Sequence, residues 1–178
     1  MKIVSAFALA VALAASFWSR EVDAACRGSP AFLHAKCQMS ISFPSTKCEL
    51  VREEITLRMN GKNNWLDPHN GGLYNLEGVS ESGIVLQGSR RTGNDLYTDL
   101  FEMTFSQQKN GDCIVEACSE SQVTSVLDFS TNYCNLHNLY CSSSEGCPVV
   151  KHDLEYKENY VSCQQRDVSK CLSAKTNS

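Results

Sequence analysis

Ten cysteines, all beyond residue 25 of a 178-residue chain, limit the folds open to this sequence more than any other feature. They are Cys26, Cys37, Cys48, Cys113, Cys118, Cys134, Cys141, Cys147, Cys163 and Cys171. Whether such a set is bridged or metal-bound depends on compartment, and the first residues bear on that. A Met-Lys start, an apolar run from Ile3 to Ala15 and small residues at Val22 and Ala24 form the pattern of a secretory signal peptide. We assign it to 1–24, with cleavage at Ala24 or Ala25. A spanning helix needs roughly 20 apolar residues, and this run is broken by Ser16, Ser19 and Arg20, so no membrane span is expected. An even cysteine count in an oxidising compartment reads as five disulfides. The nearest group to a zinc site is Cys134, His137 and Cys141, but the paired Cys-x-x-Cys units of metal ribbons are missing. Neither a metal nor a cofactor is expected. Residues 25–178 then make a single disulfide-stabilised secreted domain, long enough for one core and short for two.

Connectivity does not follow from spacing, since ten cysteines allow nine times the roughly 105 pairings open to eight. Geometry removes some of them. Cys113 and Cys118 lie in an extended stretch, where five residues cover about 16 Å. A disulfide needs Cα atoms within about 7 Å, so separate partners are expected for the two. The spacing of Cys26, Cys37 and Cys48 and the Cys134–Cys141–Cys147 group suggest two stapled ends around a regular middle.

Residues 26–44, with Gly28, Pro30 and Pro44, read as an irregular or short-helical lead-in. Cys48, Val51, Ile55 and Met59 then recur at spacings of three and four, which predicts a helix over 46–60 with one buried stripe. Thr46 and Glu49 have the spacing of a capping box, and Gly61 follows the helix as a stop. Asn63–Gly72 is turn chemistry. Strands are predicted at 72–79, 84–92, 96–107, 112–118 and 121–130, separated by short turn signals that include the hairpin dipeptide Asn110-Gly111. Tyr97, Phe101, Met103 and Phe105 share one face of the third strand, and Val123, Leu127 and Phe129 share one face of the fifth. One dry and one wet face define an antiparallel sheet. Residues 131–178 show little periodicity; Asp153–Tyr160 has the length of one more strand or a helical turn, and disulfides are expected to order the segment.

The expected fold is therefore α+β: one N-terminal helix packed on a curved antiparallel β-meander, with an irregular cysteine-rich C-terminal segment. In element order over roughly 46–130 it resembles the cystatin-like folds. The resemblance stops at element order. Cystatins inhibit papain-type proteases through a Gln-x-Val-x-Gly hairpin, and the nearest stretch, Gln122-Val123-Thr124-Ser125-Val126, lacks both the Val and the Gly. Protease inhibition does not carry over.

Removing Lys2, Arg20, Glu21 and Asp23 with the signal peptide leaves the net charge at −4. Binding to nucleic acid needs clustered Lys and Arg, as does a polybasic membrane patch, so neither partner is expected. An extracellular protein or glycan is. No Asn-x-Ser/Thr sequon occurs, and the dibasic pair Arg90-Arg91 precedes a turn in a hairpin. Nor is there a Gly-x-Ser-x-Gly elbow, a His-Glu-x-x-His pair or a phosphate loop. The acidic residues Glu77, Glu81, Asp95, Asp99 and Glu102 read as solvated faces and turns.

Two segments concentrate candidate binding residues. In the first, Trp65, Asp67, His69 and Asn70 combine an aromatic anchor with loop polar groups. In the second, Asn132, Tyr133, His137 and Tyr140 lie near or between two cysteines; such groups either build a hydrogen-bonded scaffold or line a polar cleft. No residue is assigned a catalytic role. The function expected is that of a secreted, non-enzymatic binding or effector protein acting through loops on a disulfide scaffold. A structural component of an extracellular matrix, shell or coat is the alternative, and a small secreted hydrolase using His69 or His137 is the second.

Overall fold

The computed structural model describes residues 26–27 and 33–172; the signal peptide expected over 1–24 lies outside them. Alternation of Cys37, Met39, Ile41 and Phe43 on a dry face makes β1 (Lys36–Phe43). Helix α1 (Cys48–Met59) follows. Next come β2 (Leu73–Val79), β3 (Val85–Arg91), β4 (Thr98–Gln107) and β5 (Cys113–Ser121). Helix α2 (Thr131–His137), β6 (Lys157–Cys163) and α3 (Val168–Cys171) follow within the described residues. The six strands form one antiparallel sheet in the order β2-β3-β4-β5-β1-β6.

Strands β2 to β5 form the expected run of hairpins, and Asn110-Gly111 turns β4 into β5 with Gly111 at φ +94°. β1 lies where the sequence predicts an irregular or short-helical lead-in, and β6 takes the strand alternative for 153–160, shifted toward the C-terminus. β1 sits between β5 and β6, inside the sheet, and β6 pairs along its outer side. The strand expected over 121–130 ends at Ser121. Beyond it the chain leaves the sheet, and Phe129 and Ser130 take left-handed backbone conformations at φ 51° and 68°, which no strand tolerates.

The stripe Cys48, Val51, Ile55 and Met59 is buried as the helical period requires, and it joins Met39, Ile41, Phe101 and Met103 in one core. Burying side chains of this size stabilises by about 1.5–3 kcal/mol each. The packing is tight at Gly88 of β3, where a Cβ would stand 2.5 Å from the Phe101 ring and 2.7 Å from the Met59 methyl. The helix start differs from the predicted capping box. Thr46 Oγ1 donates to Pro44 O (2.8 Å), and the first helical amide, Cys48 N, donates to Gln107 Oε1 of β4 (2.8 Å).

The five disulfides are Cys26–Cys118, Cys37–Cys163, Cys48–Cys113, Cys134–Cys171 and Cys141–Cys147. Cys113 and Cys118 have separate partners. The first three cysteines do not staple one end to itself. Each reaches a distant strand, spanning 92, 126 and 65 residues. Nor is the C-terminal segment ordered by disulfides alone. The buried Glu54 carboxylate of α1 accepts hydrogen bonds from the backbone amides of Val150, Lys151 and His152, each at 2.8 Å. Among the described residues no helix is long and apolar enough to cross a membrane.

Candidate functional site

Two buried networks organise one end of the sheet. Arg90 points inward from the last core-facing position of β3, and the loop 65–72 folds around it. Asp67 Oδ2 accepts from Arg90 Nε (2.7 Å), while Asp67 Oδ1 accepts from the His69 amide (3.0 Å) and from Asn138 Nδ2 (2.8 Å). Arg90 Nη2 donates to Asn70 Oδ1 (2.8 Å) and to the His69 carbonyl. Gly72 is required here, because a Cβ would lie 2.2 Å from the guanidinium.

The second network runs along α2. Asn132, Asn135 and Asn138, three residues apart, face one side and are all buried. Asn132 Nδ2 donates to Ala35 O, Ser121 Oγ and Asp128 Oδ2, each at 3.0 Å, and its Oδ1 accepts from Ser119 Oγ (2.8 Å). Asn135 Nδ2 donates to Asp99 Oδ2 (2.7 Å). Amides that bridge helix to strands in this way fix their relative position.

Between these networks lies a cavity of about 500 Å³, within the range of small-molecule sites. Its lining comes from Asp99 of β4, from Ser121 at the end of β5, and from the segments 69–70, 92–97 and 123–131. The buried part of the lining is polar: His69, Thr92, Asp99, Ser121 and Asp128. The open part carries four large apolar side chains, Tyr97 at 51% exposure, Val123 at 39%, Leu127 at 61% and Phe129 at 72%, beside the exposed polar residues Asn70, Asn94 and Thr124. Large apolar side chains exposed together at a cavity mark an interaction site. The loop carrying three of them is held in place by Gln165 Oε1, which accepts from the amides of Asp128 (2.9 Å) and Phe129 (2.7 Å).

Burial sets the protonation states in this cavity. It lowers the His69 imidazole, and the Arg90 charge lowers it further, against a backbone bond to Lys170 O and the pull of Asp67 and Asp128. His69 Nδ1 lies 2.8 Å from Lys170 O and therefore carries the proton of the neutral ring. Burial raises the Asp99 carboxyl above its ordinary value, outweighing the bonds from Asn135 and Ser121.

A separate cluster gathers Tyr133, His137, Tyr140 and Glu158. Glu158 Oε1 accepts from Tyr140 OH (2.8 Å) and Tyr133 OH (2.9 Å), and Oε2 accepts from Arg166 Nη2 (2.7 Å). Burial alone would raise Glu158, but the bonds from His137, Tyr140 and Tyr133 prevail and hold its pKa at about 2. His137 also stands near Cys141 and Cys147. Those sulfurs are bonded to each other, so they are not thiolate ligands, and Cys134 is likewise engaged with Cys171.

The predicted site residues thus separate. His69 and Asn70 line the cavity. Trp65 and Asp67 are buried behind it, Trp65 Nε1 donating to Pro148 O (2.9 Å). Asn132, Tyr133, His137 and Tyr140 are buried within the networks around α2. Asp99, taken from sequence for a solvated strand position, is 1% exposed. Tyr97, Leu127 and Phe129, taken for strand residues facing a core, stand at the mouth of the cavity. Their only sequence signal is the density of apolar residues in a segment that closes no sheet. Compared with known proteins, the chain matches no family model, no curated protein and no solved structure.

Proposed function

We propose that the chain is a secreted, non-enzymatic binding protein that takes a small ligand into the cavity at the end of the sheet. The observation that carries this reading is the cavity's construction. Three exposed loops open it, and Asp67–Arg90 and the asparagines of α2 fix its inner wall. A preorganised wall spares a ligand the cost of ordering the loops. The five disulfides support the secreted reading, and the helix following β1 and preceding the β2–β5 run serves as scaffold in the manner the cystatin-like order suggests.

The test is a titration of the disulfide-bonded mature protein with the neutral fluorophore N-phenyl-1-naphthylamine. Saturable binding at one site per chain is expected, and Val123→Trp, which fills the mouth, abolishes it. Absence of saturation, or equal binding by Val123→Trp, would remove the cavity from consideration.

A further inference from the structure

We infer that the ligand class of this cavity is an organic ammonium: a small amine with an aromatic or branched apolar body. The inference rests on the cavity being the binding site, and it concerns charge and shape together. The lining contains two carboxylates, Asp99 and Asp128, and neither a lysine nor an arginine. The nearest guanidinium, Arg90, lies behind the wall and already has Asp67 on its Nε. His69 is held neutral. Around the inner end of the cavity the carboxylates of Asp99, Asp128 and, behind the wall, Asp67 face one permanent cation. Asp128 is hydrogen-bonded by the Ser130 and Asn132 amides and by Asn132 Nδ2, so the charge without a cationic partner centres on Asp99.

Such a surplus of buried negative charge is costly unless a counter-charge enters. An ammonium supplies it, and its three N–H donors suit a wall whose side chains are mostly acceptors: Asp99, Asp128, Ser121 and Thr131. An anionic ligand would meet like charge in the same dry space. The outer part dictates the rest of the molecule. Tyr97 and Phe129 offer ring faces, and Val123 and Leu127 offer aliphatic surface, so an apolar body attached to the amine fills the mouth. Aromatic faces there also attract a cation during entry.

The experiment uses three near-isosteric probes against the disulfide-bonded mature protein at pH 7: 2-phenylethylamine, 2-phenylethanol and phenylacetate. Each competes with bound N-phenyl-1-naphthylamine. The amine is expected to displace the fluorophore at least tenfold more tightly than the alcohol, with the carboxylate weakest. Asp99→Asn is expected to erase the amine's advantage over the alcohol. If the alcohol equals the amine, or the carboxylate binds best, the ammonium assignment is overturned and the cavity stands as a site for another class. If the fluorophore itself does not bind, both the site and the assignment fall. Should Asp99→Asn lose its cooperative transition, Thr131→Val serves instead, and an unchanged ordering of the three probes in a folded Asp128→Asn protein as well would count against the inference.

Discussion

Glu54 and Arg58 stand one turn apart on the buried side of α1, joined at 2.8 Å with both side chains wholly shielded from solvent. Their second bonds reach outward. Glu54 collects the amides of 150–152, and Arg58 Nη1 donates to the carbonyls of Asn138 and Cys141, both at 3.0 Å. The pair therefore couples the N-terminal helix to two separate parts of the C-terminal segment. Removing one partner of a buried pair leaves an uncompensated charge and costs about 3–5 kcal/mol. Glu54→Ala is expected to lose that much in urea unfolding and to expose the amides of Val150 and Lys151 to hydrogen exchange. Unchanged protection at those two amides would show that the segment is anchored elsewhere.

Acid should weaken the second cluster first. The Glu158 pKa lies at about 2 in the folded protein against an ordinary 4.5. A carboxyl depressed by folding contributes stability that is complete above its unfolded value and is lost as pH falls through its folded value. The window is thus pH 4.5 down to about 2, and the linked contribution is about 3 kcal/mol. Glu158→Gln is expected to be less stable than the parent at pH 7 and nearly equal to it at pH 2, measured by denaturant unfolding at both pH values. A gap that stays constant with pH would assign the loss to packing instead.

What the sequence could reveal follows from which partners were local. The α1 stripe is legible because Cys48, Val51, Ile55 and Met59 repeat within one element, and the β4–β5 hairpin because Asn110-Gly111 is its own turn. β1 escaped notice although Cys37, Met39, Ile41 and Phe43 alternate, because a cysteine opens the series and Pro30 and Pro44 flank it. β6 is an edge strand with four of its seven residues exposed and the other three half-buried, so no dry face decides between strand and helical turn. Glu54 and Asp99 look solvated in sequence because their partners, three backbone amides near residue 151 and Asn135, are far away along the chain. The site was half-legible for the same reason. His69 and Asn70 belong to a turn-rich loop, whereas Leu127 and Phe129 mimic the alternation of a strand until left-handed residues end it.

The disulfides should differ in worth by the lengths they close. Cys141–Cys147 spans 6 residues and Cys37–Cys163 spans 126. In the chain-entropy account, loops of these lengths correspond to about 2.4 and about 5 kcal/mol. Paired Cys→Ala variants are expected to keep that order in urea midpoints, with Cys37/Cys163 the costlier loss. The reverse order would mean that the short loop 142–146, capped by Ser142 and Glu145 and bound through Ser143 to Asp153, contributes more than its closure entropy.

At the mouth of the cavity, Phe129 combines a left-handed backbone (φ 51°) with an exposed ring. Asparagine tolerates that conformation better than phenylalanine does. Phe129→Asn is therefore expected to leave the unfolding free energy within about 0.5 kcal/mol of the parent. The same change removes an aromatic wall and should weaken N-phenyl-1-naphthylamine binding about tenfold, a loss of about 1.4 kcal/mol. Equal affinity in the two proteins would place the fluorophore away from the ring.

The carboxyl of Asp99 makes the opposite trade. Burial raises it above 3.8 in the folded protein. A group raised by folding adds stability that is complete below its unfolded value and disappears as pH rises through its folded value, so at pH 7 the ionised Asp99 works against the fold. Its amide analogue can still accept the hydrogen bond from Asn135 without carrying charge into the cavity. Asp99→Asn is therefore expected to be more stable than the parent at pH 7 and to lose that advantage at pH 3, read as the difference between the two urea curves at each pH. A variant no more stable than the parent at pH 7 would mean that Arg90 already balances Asp99, and with it the case for a cationic ligand would weaken.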